Sequence, residues 1–230
     1  MIDHRTHYDR WHQGNVADDS ITAPWHLFVE KHLEKGDLDQ KKILEIGCGR
    51  GGFSNFLSRH RYAPARIFAC DYSAAAIAIG QQKYPHLKIT WQKEDIMSMN
   101  FDDNSFDTVI SCETIEHVPH SKQAILELYR VLKPQGRMFL TCPNYFNLFG
   151  VWCLYRWIIG KPFTEGGQPY VNFLQMPWIY WRLRKTGFTV EKLISSEIII
   201  PAKIPKHYYD QQTPPLLKVF GSRMFYILHK

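Results

Sequence analysis

The stretch Lys42–Leu57 constrains this chain most: Lys-Ile-Leu-Glu-Ile-Gly-Cys-Gly-Arg-Gly-Gly-Phe-Ser-Asn-Phe-Leu. An apolar run, Ile43-Leu44-Glu45-Ile46, breaks at Gly47, Gly49, Gly51 and Gly52. Apolar residues resume at Phe53, Phe56 and Leu57, three and four apart, which is helical spacing. The pattern predicts a strand, a glycine turn and a helix. Such a turn lets backbone approach a ligand, because no Cβ intervenes and positive φ costs little. The following helix start offers unpaired N–H groups and positive partial charge. Gly47, Gly49 and Gly52 satisfy G-x-G-x-x-G, a dinucleotide fingerprint that also suits a different adenosine ligand.

The rest of the chain places this unit in a larger pattern. Strands are predicted at Arg66–Asp71, Leu87–Gln92, Ser105–Cys112, Arg137–Cys142, Phe188–Ile194 and Arg223–His229. Helices are predicted at Pro24–Leu33 with Gly36 as its stop, at Ser73–Lys83, and at His120–Leu132 before the turn Lys133-Pro134-Gln135-Gly136. Alternation of this kind implies an α/β fold, a mostly parallel sheet with helices on both faces. Ligands of such sheets bind at the carboxyl ends of the strands. That rule gathers Gly47, Asp71, Asp95, Cys112–His117 and Cys142–Tyr145 around one crevice.

The second half is different in character. Four of the seven Trp, Trp152, Trp157, Trp178 and Trp181, fall between Tyr145 and Trp181. The segment Phe146–Ile159 is apolar on nearly every helical face, with Arg156 its single charge, so it is either buried or in contact with lipid. It is too short to span a bilayer but long enough to lie in an interface. A loop follows over Gly160–Gln168, then a helix over Pro177–Gly187. Pro201, Pro205, Pro214 and Pro215 mark a long irregular connection.

Composition excludes some function classes. Hydrophobic content of 45% and charged content of 22% suit a globular domain rather than a disordered chain. The net charge of +6 permits anionic partners, but there is no run of five or more basic residues, and nucleic acid is not the expected partner. The five cysteines form no C-x-x-C pair, which points to a reducing compartment. The N-terminus carries no apolar signal core, and no transmembrane run is present. The expected location is the cytoplasm, with peripheral contact to a membrane.

Five stretches in fixed order carry a family likeness: Ile43–Gly51, Ala69–Ser73, Glu94–Ile96, Phe106–Val118 and Val131–Gly136. Over residues 42–142 the chain resembles the class I S-adenosylmethionine-dependent methyltransferases, closest to the quinone-pathway (ubiquinone and menaquinone biosynthesis) type. The resemblance implies a Rossmann-like seven-stranded sheet whose last strand is antiparallel and inserted beside the fifth. It divides the chain into a helical cap (1–40), a cofactor-binding core (41–142), an aromatic substrate lid (143–187) and C-terminal strands (188–230). It implies S-adenosylmethionine as cofactor, with Gly47, Cys48 and Gly49 beneath its methionine part and Glu45 ordering the loop. Asp71 would accept the ribose hydroxyls, a role that its position about 20 residues beyond the glycines suits. Tyr72 would flank the adenine, Asp95 would take the adenine amino group with Ile96 packed nearby, and Cys112 would also line the cofactor site.

Past the fourth strand, Cys112-Glu-Thr-Ile-Glu-His117 is expected over the methyl group. Methyl transfer needs alignment of nucleophile, carbon and sulfur, and a phenolic acceptor also has to lose a proton. His117 is the candidate base. Glu113, Glu116 and His117 form E-x-x-E-H, which in some relatives holds a divalent metal; no metal is the favoured reading, with these three as its candidates otherwise. Tyr8, Trp11, Tyr145, Trp152 and Trp157 are the candidate acceptor contacts, and an apolar or aromatic small molecule is the expected acceptor of an O-methylation. Three readings compete: an RNA 2′-O-methyltransferase with a Glu/Glu/His metal, an NAD-dependent dehydrogenase, and a non-catalytic fold-mate.

Overall fold

A computed structural model describes residues 4–14, 22–161, 163, 171–196 and 217–230. Seven strands form one sheet: β1 (Lys42–Ile46), β2 (Arg66–Asp71), β3 (Ile89–Lys93), β4 (Phe106–Cys112), β5 (Leu132–Pro143), β6 (Thr189–Ser196) and β7 (Arg223–His229). Their order is β3-β2-β1-β4-β5-β7-β6. Pairing is parallel from β3 through β5, while β7 runs antiparallel between β5 and β6. The expected topology, with the last strand inserted beside the fifth, is the observed one.

Nine helices are described: α1 (His4–Gly14), α2 (Pro24–His32), α3 (Lys35–Leu38), α4 (Gly52–Ser58), α5 (Ala74–Lys83), α6 (Ser121–Val131), α7 (Leu148–Ile158), α8 (Met176–Thr186) and α9 (Leu217–Phe220). The period-two alternation of the central strands sorts the core into two layers. On one face Val109, Met138, Leu140, Met224, Tyr226 and Leu228 pack with Ile125, Leu128, Ile179 and Leu183 of α6 and α8. On the other, Ile110, Phe139, Phe225 and Ile227 meet Phe28 and Val29 of α2, Leu38 of α3 and Phe53 of α4.

Local chemistry accounts for the departures from the predicted boundaries. Gly36 does not stop α2, which ends at His32. It sits inside the short α3, where the Glu34 N–H donates to Asp37 Oδ2 at 2.8 Å. The turn expected at Lys133–Gly136 is absorbed into β5 as an irregularity. Leu132 pairs with Phe106, and Gln135 takes φ +64 before regular pairing resumes at Arg137. The Asn147 side chain accepts from the Gly150 N–H at 3.0 Å, which caps α7 so that it starts at Leu148, two residues inside the predicted start. The loop expected over 160–168 falls mostly, and the connection at Pro201, Pro205, Pro214 and Pro215 entirely, outside the described residues.

Candidate active site

The loop between β1 and α4 is shaped by what presses on it. Gly47 takes φ +80 and Gly51 φ +78. A Cβ at Gly47 would stand 2.1 Å from Thr114 Oγ1, and one at Gly51 2.1 Å from the Trp91 ring. Thr114 and Trp91 therefore clamp the loop from two sides, and only glycine fits. Gly49 (φ +53) is not crowded in this way: the nearest atom to its would-be Cβ is His12 Cε1, in ordinary contact at 3.8 Å. The loop is fixed by backbone bonds: the Gly47 and Cys48 N–H groups both donate to the Cys70 carbonyl, at 2.8 and 3.0 Å. At the end of β2, Asp71 Oδ2 accepts from the Gly49 N–H at 2.8 Å and Oδ1 from the Ser73 N–H at 2.9 Å. Each oxygen keeps a second lone pair for a ligand.

A cavity of about 330 Å³ opens where β1, β2 and β4 end. All nine residues expected to contact the cofactor line it: Glu45, Gly47, Cys48, Gly49, Asp71, Tyr72, Asp95, Ile96 and Cys112. Glu45 is buried, accepts a hydrogen bond from Ser54 Oγ, and has its carboxyl pushed up to about 8 by that burial, with Asp71 adding to the effect. Burial also holds the Cys48 and Cys112 thiols well above their ordinary value, so neither is a ready nucleophile. Asp95 Oδ1 accepts from the Met97 N–H at 2.8 Å, a local turn rather than a helix cap. A second cavity of about 500 Å³ lies at the opposite end of the sheet. Its Arg137 is engaged by Asp37 at 2.7 Å and Glu191 at 3.0 Å, a structural ion network.

The cap closes the cavity from above. Asp9 on α1 accepts from Ser73 Oγ at 2.6 Å and from the Ala75 N–H at 3.1 Å, so it caps α5 from another element. Arg50 donates to the His12 carbonyl, and Tyr8 Oη donates to the His117 carbonyl at 3.1 Å. These bonds set Tyr8, Trp11 and His12 on the cavity wall. Burial, reinforced by Glu116, Asp71 and Tyr72, raises the Tyr8 phenol above its ordinary range. It stays a donor at neutral pH. Trp25 and His26 of α2 complete the wall, His26 stacked on Phe53 with ring centroids 4.5 Å apart. The sequence reading missed Trp25, His26 and His12. The helix start Pro24-Trp25-His26 was the available signal, but the sequence marks that helix only as part of a cap, with no residue of it assigned to the site.

The turn after β4 holds the E-x-x-E-H residues. Glu113 adopts φ +49, its N–H donates to the Thr141 carbonyl at 3.0 Å, and its carboxylate takes Thr141 Oγ1 at 2.8 Å and the Arg223 guanidinium. Glu116 is fully buried, its Oε1 3.5 Å from His117 Nε2. His117 lines the cavity, whereas Glu116 does not. Among the described residues no group of three or more His, Cys, Asp or Glu side chains is arranged to hold a metal ion.

The aromatic insertion is placed elsewhere. Tyr145 is buried between Phe149 and Phe173, Trp152 packs on Phe149 and Phe163, and Trp157 is exposed. None of the three lines the cavity, while Tyr8 and Trp11 do. The reason is topological: α7 follows β5, and two strand positions separate β5 from β1.

Comparison with known proteins agrees with this geometry. Residues 44–140 match the family model described as a methyltransferase domain. The chain is 32% identical over 116 residues to the phthiotriol/phenolphthiotriol dimycocerosates methyltransferase of Mycobacterium leprae, covering 50% of this chain and 43% of the relative. It is 32% identical over 100 residues to the demethylmenaquinone methyltransferase of Lactiplantibacillus plantarum, covering 42% of each. The chain thus spans less than half the length of these curated relatives. Among solved structures, the complex of the Haloferax volcanii Trm112 methyltransferase activator with a methyltransferase aligns with TM-score 0.68 at 18% identity, over 98% of this chain and 96% of that one. The domain match favours S-adenosylmethionine of the two ligands that the glycine fingerprint allows: residues 44–140 are similar to a methyltransferase domain.

Proposed function

We propose that this protein methylates an oxygen atom of a small apolar or aromatic acceptor in the cytoplasm, in peripheral contact with a membrane. The observation that carries the acceptor class is the wall of Tyr8, Trp11 and Trp25 set across from the glycine loop in one cavity. The two relatives above are named for lipophilic acceptors, phthiotriol and menaquinone compounds, which is in keeping with that wall.

The residues present fit the cofactor. Gly49 lines the cavity with no clash at its would-be Cβ, the carboxylates of Asp71 and Asp95 stand at the strand ends, and a cavity of about 330 Å³ falls in the range of small-ligand sites. Asp71 would hold the ribose, Asp95 and Ile96 the adenine, and the Gly47–Gly49 backbone the methionine part. When bound, S-adenosylmethionine supplies a methyl group on a sulfonium, open to in-line displacement. The aromatic wall excludes water and orients the acceptor ring. His117 takes the proton of the acceptor hydroxyl, with Glu116 as its neighbour at 3.5 Å. Tyr8, bonded to the His117 carbonyl, fixes the turn that presents the imidazole.

The test is calorimetric titration with S-adenosylhomocysteine, with NAD as control, followed by methyl transfer to a panel of phenols, hydroquinones and lipid alcohols. Micromolar S-adenosylhomocysteine binding and transfer to a hydroxyl of an apolar panel member are expected. Binding of NAD alone, or transfer only to RNA, would overturn the reading.

A further inference from the structure

Helix α7 presents its apolar side outward. Phe149, Trp152, Cys153 and Arg156 turn inward, with Arg156 stacked over Trp152 at 5.4 Å. Leu148, Val151, Leu154, Tyr155, Trp157 and Ile158 turn to solvent, with Leu148 at 72%, Ile158 at 68% and Trp157 at 63% exposure. No charge lies on that outward face. Six large apolar side chains on one unshielded helix face form a patch that a solvated surface does not ordinarily carry.

The root of the helix is firm. Asn144 Oδ1 accepts from the Phe146 and Met176 N–H groups, each at 3.0 Å, and Asn144 Nδ2 donates to the Val219 and Gly221 carbonyls. One buried side chain thus ties the starts of α7 and α8 to the approach to β7. Phe146 and Phe220 stack beside this root, both exposed, and extend the apolar patch. Because α7 leaves the carboxyl end of β5, the patch lies at the same end of the sheet as the cavity.

We propose that the outward face of α7 docks the protein on a bilayer containing anionic lipid. An eleven-residue helix extends about 16 Å, too short to cross the hydrocarbon layer, so it lies in the interface plane. Trp157 and Tyr155 are residue types that settle at the headgroup level. The charge is complementary: Lys161 is exposed directly beyond the helix, and the chain carries +6 overall. The inference deepens the proposed function and rests on it for its purpose, since an apolar acceptor would be met at the membrane.

The experiment is co-sedimentation of the full chain with phosphatidylcholine vesicles, with and without roughly 30 mol % phosphatidylglycerol. Leu154→Glu/Ile158→Glu tests the face, and Leu126→Glu, an exposed apolar position on α6, is the control. The expected result is salt-sensitive binding to the anionic vesicles, weakened about tenfold or more by the double substitution and unchanged by the control. No binding, binding indifferent to the double substitution, or a dimer that these substitutions split without any vesicle binding would overturn it. S-adenosylhomocysteine titration of the same preparations separates the two readings. Intact ligand binding without vesicle binding removes this inference alone, whereas vesicle binding without ligand binding removes the proposed function.

Discussion

Asp71 Oδ2 and the Gly49 N–H are joined by a 2.8 Å hydrogen bond that ties the end of β2 to the glycine loop. The carboxylate expected to hold the ribose therefore also shapes the loop that would hold the methionine part. Asp71→Ala removes both functions. Hydrogen bonds to a charged group contribute about 1.5–3 kcal/mol each, so S-adenosylhomocysteine affinity falls by at least about tenfold. Asp71→Asn keeps one acceptor and loses less. Calorimetry with both variants checks this ordering, and equal affinity in all three proteins would remove the ribose assignment.

Glu45 links stability to pH. Its carboxyl sits at about 8 in the folded protein because burial disfavours the charged form, whereas in the unfolded chain it titrates in the ordinary range. The folded state holds the extra proton, so its contribution is complete below the unfolded value and is lost as pH rises through about 8. Stability to urea should fall by a few kcal/mol between roughly pH 5 and pH 9. Glu45→Gln should flatten that slope. A wild-type slope unchanged by the substitution would mean that Glu45 is not its source.

In the proposed function His117 and Tyr8 divide the work at the acceptor end. His117→Ala should lower kcat by about a hundredfold or more while leaving S-adenosylhomocysteine affinity nearly unchanged, the signature of a lost base. Tyr8→Phe removes a single donor to the His117 carbonyl and should cost about 1 kcal/mol of stability with a smaller loss of kcat. Equal activity of His117→Ala and wild type would assign proton removal to solvent.

Much of the architecture was legible because the sheet repeats one local rule. Runs ending at glycine or acid mark β1 to β4, and the glycines at 47 and 51 are dictated by positive φ and close approach, that at 49 by positive φ. All nine expected cofactor contacts come from those strand ends and meet in one cavity. The aromatic wall of the cavity was half legible. Tyr8 and Trp11 are there, but their place depends on Asp9 reaching Ser73 and Ala75, a contact 64 and 66 residues away in sequence that no local pattern encodes. Tyr145, Trp152 and Trp157 were expected to contact the acceptor from composition, and aromatic density does not say which face of the sheet a helix covers. Glu113 illustrates the same limit: its spacing from Glu116 and His117 suggests a metal site, and only the fold reveals Arg223 beside it.

The Glu113–Arg223 pair supports the last prediction. Both side chains are largely buried, at 13% and 14% exposure, and the guanidinium also lies over the Trp25 ring at 4.5 Å. Removing one partner strands the other charge, so Arg223→Ala should destabilise the protein by on the order of 3 kcal/mol in urea unfolding and loosen the wall at Trp25, raising the acceptor KM. Arg223→Lys keeps the charge and should recover part of both losses. Because Thr141 and Arg223 already occupy the Glu113 carboxylate, the wild-type rate should be the same in EDTA and in added magnesium. Stimulation by magnesium would show that Glu113 leaves Arg223 for a metal ion, and would return the turn after β4 to a metal-assisted role.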